Sequence, residues 1–308
     1  MTTPIPLPSA FRQSLGAIGF ACSGWFLFCV YDAAVKYLSA SLPIIQIAGT
    51  VSFIGCLLSG GWILARHGRN GFTTPKLKLY ILRGLSLVAA GYLVLSALAR
   101  IPLADFYGIV FLTPMMTTIL AVIFLKERIG WHRIAAIMIG FIGVLIVAGP
   151  SFQDKNIGYL FALCAVLFTS TNAILLRKIG QETIKARFAF FPFLVSSLVF
   201  VPLMIPGFQR PDTMLSVSLL MLAPVISLTG VILFSMGFSK ARDTAVITPF
   251  HYTQMIWGAL LGFIVFGDLP AVSTVAGSLV IVAAGLMVIW REHVLHRSIV
   301  TDTAPPAL

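Results

Sequence analysis

Charged and strongly hydrogen-bonding side chains are scarce in this sequence, and chemistry has to be sought in the few that fall inside apolar runs. Asp32 and Lys36 stand one helical turn apart in WFLFCVYDAAVKYL. An acid inside an apolar helix suits proton coupling or a grip on a cationic group, while the i, i+4 lysine offers the alternative of a self-neutralising structural pair. A second group follows Pro249: Phe250, His251, Tyr252, Gln254 and Trp257. At about 100° per residue, His251 and Gln254 share a helix face, and Phe250, Gln254 and Trp257 form a neighbouring stripe. A proline-broken apolar helix with polar and aromatic side chains is built to bind an organic molecule, and the rings would grip a flat or cationic one by stacking and cation–π contact. Ring packing, with His251 bonded to a nearby carbonyl, stays open as the plainer reading. Tyr107 and Pro114 occupy the corresponding stretch of the first half and are candidates to line the same cavity. Asn172, with Thr171, stands about 140 residues after Asp32 and Tyr31 and is a further lining candidate. Asp32, Lys36, Pro114 and Pro249 are the candidates for coupling or gating. Arg83 reads as an interfacial anchor.

The elements that must position these residues are long apolar runs. The chain has 308 residues, of which 58% are hydrophobic and 10% charged, with a mean hydropathy of +0.99. A soluble domain carries about 25% charged residues, so most of this chain belongs in lipid. Ten runs are long enough to cross a bilayer, roughly at 15–37, 43–65, 80–99, 101–125, 132–149, 157–178, 187–206, 214–238, 243–266 and 270–290. They must be helices, because lipid satisfies no backbone polar group and the runs are about twice the length of a barrel strand. Pro114, Pro192 and Pro249 lie inside spans and are expected to kink them.

The run IPLADFYGIVFLTPMMTTILAVIFL, its basic hinge KERIGWHR and the glycine-containing run after it have an echo in the second half. There TAVITPFHYTQMIWGALLGFIVF is followed by GDLP and another glycine-containing run. The fold class expected is therefore an all-α integral membrane protein of two five-helix repeats, 15–150 and 151–291, between tails at 1–14 and 292–308. The N-terminal stretch reads as a short tail before a retained helix. Of the 21 Lys and Arg residues, seventeen fall in segments on one side, against Arg100, Lys155 and Arg210 on the other. The positive-inside rule then puts both termini in the cytoplasm. Five spans per half make the second repeat inverted, so KERIGWHR faces inward and GDLP, which has no basic residue, faces outward.

Other classes fit poorly. The net charge of +11 is scattered between apolar runs rather than clustered for nucleic acid. Cys22, Cys29, Cys56 and Cys164 all sit in apolar runs without a CxxC pair, which indicates neither a metal site nor a disulfide framework. No GxSxG, HExxH or paired-carboxylate pattern supports a membrane-embedded enzyme, no filter segment supports a channel, and no phosphate-binding loop supplies nucleotide hydrolysis. No cofactor is expected.

In DAAVKYL, ILRG, PLADFYGIVFLTPMMTTILAVIFLKERIGWHR and TAVITPFHYTQ…GFIVFGDLP the chain resembles the drug/metabolite transporter superfamily, in its ten-helix EamA-type branch. ILRG and PFHY are most similar to a subgroup with S-adenosylmethionine and riboflavin transporters. Where relatives often carry an arginine a few residues after position 46, this chain has IAGTV after Gln46, and where some carry an acid it has Asn172. The resemblance implies a secondary transporter in a bacterial-type inner membrane that moves a small organic metabolite by alternating access. It leans to uptake of a heteroaromatic or aminoacyl compound, with export of amino acids or toxic amines as the alternative. Protons and a second copy of the chain are candidate partners beside the bilayer.

Overall fold

The structure, a computed structural model, describes residues 9–126, 131–153, 156–179, 184–240, 251, 253–284 and 286–287. Every regular element among them is helical: α1 (Ser9–Leu38), α2 (Ile44–His67), α3 (Leu77–Leu98), α4 (Leu103–Val110), α5 (Thr113–Leu125), α6 (Trp131–Gln153), α7 (Ile157–Ile179), α8 (Arg187–Met204), α9 (Met214–Lys240) and α10 (Thr253–Phe266), then α11 (Val272–Ala284). Seven described segments are long and apolar enough to cross a membrane, with shorter apolar helices at Ile137–Val147, Thr253–Phe266 and Val272–Ala284. This is a membrane protein. Large apolar side chains such as Leu57, Ile123, Leu198, Ile256 and Leu279 face outward, as lipid contact requires.

The fourth run is expected as one kinked helix; the structure divides it into α4 and α5. Pro114 has no N–H for the Val110 carbonyl four residues back. The Thr113 hydroxyl donates to that carbonyl instead, at 2.5 Å. The chain turns at Phe111 and Leu112.

Packing is dominated by crossings between the two halves. α1 lies along α9 and α3 along α7; α2 lies along α8; α4 touches α10 and α7, and α5 touches α7. α1 also meets α10, α2 meets α9, and α3 meets α8. Backbones come closest where glycines face one another: a Cβ on Gly24 would lie 2.7 Å from the Phe234 nitrogen, and one on Gly143 would lie 2.8 Å from the Gly277 carbonyl oxygen. The small residues Gly55 and Gly258, by contrast, admit the rings of Phe193 and Tyr107 rather than a neighbouring backbone.

Both ends of the bundle are tied across the halves by side chains bonded to main chain. At one end Gln46 is fully buried; its amide donates to the Gln209 carbonyl at 2.7 Å and accepts from the Gln209 N–H at 2.8 Å. At the other, Lys76 donates to the last carbonyl of α7, Ile179, and Arg187 donates to the Gly71 carbonyl. Cations on helix-end carbonyls are favoured by the helix dipole.

Candidate functional site

Two polar centres lie within the bundle, and the residues singled out in the sequence divide between them. The first forms where α1, α4 and α10 meet. The Tyr107 hydroxyl, from α4, donates to the Asp32 carboxylate of α1 at 2.6 Å. Tyr107 can reach so far in because Gly258 of α10 lies under its ring, where any Cβ would overlap it. The Cys29 thiol donates to the Gln254 carbonyl at 3.7 Å. The His251 ring stacks on Trp25 with centroids 5.3 Å apart and planes within 5°, and Phe111 meets it edge-on at 6.0 Å. Trp257 packs edge-on against Phe26. Asp32, Tyr107, His251, Gln254 and Trp257 thus converge on one junction. Phe250, Tyr252 and Pro249 lie outside the described residues, and Pro114 marks the α4–α5 break rather than the junction itself.

Lys36 does not belong to this junction. Its ammonium donates to the Ile101 carbonyl at 2.8 Å, pairs with Asp268 at 3.5 Å and lies 5.2 Å from the centre of the Phe266 ring. The reading of Asp32 and Lys36 as a self-neutralising pair is corrected: each has found another partner across the bundle. A further acid, Asp105, is buried two residues before Tyr107 and accepts hydrogen bonds from Tyr159 of α7 and Thr274 of α11. It stands in the same PLADFYG block, and its charge inside an apolar run was the available signal.

The second centre forms on Arg83. The interfacial-anchor reading of this residue is also corrected. Arg83 stands six residues into α3, about 9 Å along the axis, and is only 8% exposed. Its Nε donates to Asn172 Oδ1 at 2.7 Å and its Nη1 to the Phe188 carbonyl at 2.6 Å. That carbonyl is available because Pro192, four residues on in α8, has no N–H to take it. The guanidinium also lies 5.8 Å from the centre of the Phe188 ring. No carboxylate pairs with it among the described residues. Asn172 is therefore placed with Arg83, away from Tyr107 and His251. The missed signal was joint: an arginine beyond the first turn of a span, and a proline whose freed carbonyl needs a donor.

Beside Arg83 is a cavity of about 220 Å³ between α1, α2, α3, α8 and α9. Arg83, Leu87, Gly91 and Leu95, spaced by four, form its α3 wall, and Tyr31, Ser52, Phe193 and Ser196 face it from other helices. A Cβ on Gly91 would meet no atom within 4 Å, so the missing side chain leaves room to the cavity. Such a chamber, apolar and aromatic with one fixed cation, can hold an organic molecule by burial and orient it by charge.

Comparison with known proteins fits this geometry. Residues 15–149 match the EamA-like transporter family. The S-adenosylmethionine uptake transporter of Rickettsia bellii is 28% identical, over 87% of this chain and 93% of its own length. The pseudopaline exporter of Pseudomonas aeruginosa is also 28% identical, over 84% of this chain and 90% of its own, and the riboflavin transporter of Vibrio cholerae is 23% identical over 87% and 90%. One solved crystal structure of a protein superposes with a TM-score of 0.57 over 92% of this chain and 98% of its own, at 16% identity. That likeness extends the shared fold through both halves.

Proposed function

We propose that the chain, whose residues 15–149 match the EamA-like transporter family, is a secondary transporter that moves a small organic metabolite across the inner membrane by alternating access. The observation that carries this reading is the cavity beside Arg83, lined by helices of both halves. The pairing of helices supports two inverted five-span units, 15–150 and 151–291. Counting α4 with α5 as one span and shifting every span by five turns α1 on α9 into α7 on α3, α1 on α10 into α7 on α4 and α5, and α2 on α9 into α8 on α3. It turns α2 on α8 and α4 on α10 into themselves. A two-fold relation between the halves gives such a pattern, and rocking one unit against the other would expose the cavity to each side in turn. With the basic residues inside, both termini are cytoplasmic.

The substrate reading is uptake of an aminoacyl or heteroaromatic metabolite resembling S-adenosylmethionine or riboflavin. Export is the second reading, favoured by the equally similar pseudopaline exporter. Counterflow in proteoliposomes tests the proposal: labelled compound should accumulate only against unlabelled compound trapped inside, and should saturate. Gly91→Leu, which fills the cavity, should reduce that exchange to background. Undiminished exchange by a correctly inserted Gly91→Leu protein would place the substrate path elsewhere.

A further inference from the structure

We propose that Arg83 docks a carboxylate of the transported molecule, so that the substrate class is a carboxylate-bearing metabolite with an apolar or aromatic body. This rests on the transporter reading above and narrows it.

The argument starts from the cost of the charge. A guanidinium buried at this depth is expensive unless it is paired, and side chains of this kind within spans face a bundle interior or a cavity with a partner at hand. Arg83 has two neutral acceptors, Asn172 Oδ1 and the Phe188 carbonyl. Neither carries a negative charge. Together they fix the plane of the fork through Nε and Nη1, and the Nη2 amine has no hydrogen bond among the described residues. A planar fork held in this way is ready for a bidentate anion.

The cavity wall points to the same chemistry. Among the described residues, Arg83 is the one charged residue lining it. The hydroxyl side chains of Ser196 and Ser227 add neutral polar groups, while Tyr31, Phe188 and Phe193 give it ring surface. One cation with hydroxyls balances a single negative charge, which suits a carboxylate better than a doubly charged phosphate ester. The stripe from Arg83 to Leu95 runs about 18 Å along α3, so the remainder of the molecule can extend away from its anchored acid along an apolar surface. An amine or an uncharged heterocycle would leave the guanidinium without its counter-charge. On this basis the site favours the aminoacyl class over riboflavin.

The test is counterflow with the full-length protein and pairs of compounds that differ by one carboxylate: S-adenosylmethionine against its decarboxylated form, phenylalanine against phenethylamine, and tryptophan against tryptamine, with riboflavin added. Exchange confined to carboxylates is expected, with KM raised at least tenfold by Arg83→Gln and less by Arg83→Lys. The paired compounds decide the matter on the unaltered protein even where Arg83→Gln fails to fold. Exchange of riboflavin or the amines as readily as the acids, or a KM within twofold of wild type in folded Arg83→Gln, overturns the inference and leaves the transporter reading standing. No exchange of any compound by folded wild-type protein overturns both.

Discussion

Asp32 and Asn172 stand about 140 residues apart, and the centres around them have opposite characters. Asp32 is held by Tyr107 in a packed junction in which Tyr107 itself is 1% exposed and a glycine makes room for its ring. Asn172 orients Arg83, whose neighbours open onto a cavity. One centre offers a partly buried acid in a closed interface; the other offers a steered cation beside a cavity. The two centres thus differ in charge. The comparison suggests a division of labour, with binding at Arg83 and any proton coupling at Asp32.

Two glycines give the largest contrast. Gly91→Leu should keep the protein folded, since leucine is the better helix former and a Cβ there meets nothing within 4 Å, yet abolish exchange. Gly258→Leu should do the reverse of the first half of that result: its side chain collides with Tyr107, an overpacking of about 3 kcal/mol or more, and little monodisperse protein should emerge from size exclusion in detergent. Similar behaviour of the two variants would remove the distinction between an open and a packed centre.

Asp32→Asn asks whether the junction carries the coupling. Accumulation driven by a proton gradient should disappear while gradient-free counterflow persists. Gradient-driven transport with an unaltered pH profile would leave Asp32 a structural residue. Tyr107→Phe should act on stability rather than specificity, since it removes a hydrogen bond to a carboxylate worth about 1.5–3 kcal/mol; thermal unfolding in detergent reads the loss. The smallest effect belongs to Asp268→Asn. Its carboxylate is 35% exposed, and such a pair contributes about 1 kcal/mol or less, so a shift of several kcal/mol would show that Lys36 and Asp268 hold the bundle shut at that end.

Much of the fold was legible because its determinants are local. Run length and apolar content identify the spans, and each of the ten expected runs overlaps a described helix, although α1 starts earlier, at Ser9, and α6 runs on to Gln153. A proline's missing N–H acts four residues away, so Pro114 forecast a disturbance, although its form as a full break depended on Thr113 and on the packing of α4 against α10. The polar residues were harder. Asp32 stands out in the sequence as a charge in an apolar run, and Tyr107 as the first-half counterpart of the segment after Pro249, but Arg83 reads as an anchor because its distance from the span end is short in sequence and its acceptors are remote.

What the sequence alone determined is what lipid imposes on each segment by itself: helices, their approximate ends, the uneven distribution of basic residues and the identity of the groups too polar to be there without a reason. Only the tertiary structure decided which of those groups meet. Tyr107 reaches Asp32 across 75 positions, Arg83 reaches Asn172 across 89, and Lys36 turns to Ile101 across 65. Each choice depends on how helices distant in sequence pack, since a hydrogen bond requires its partners within about 3 Å, and no local pattern in the chain specifies that proximity.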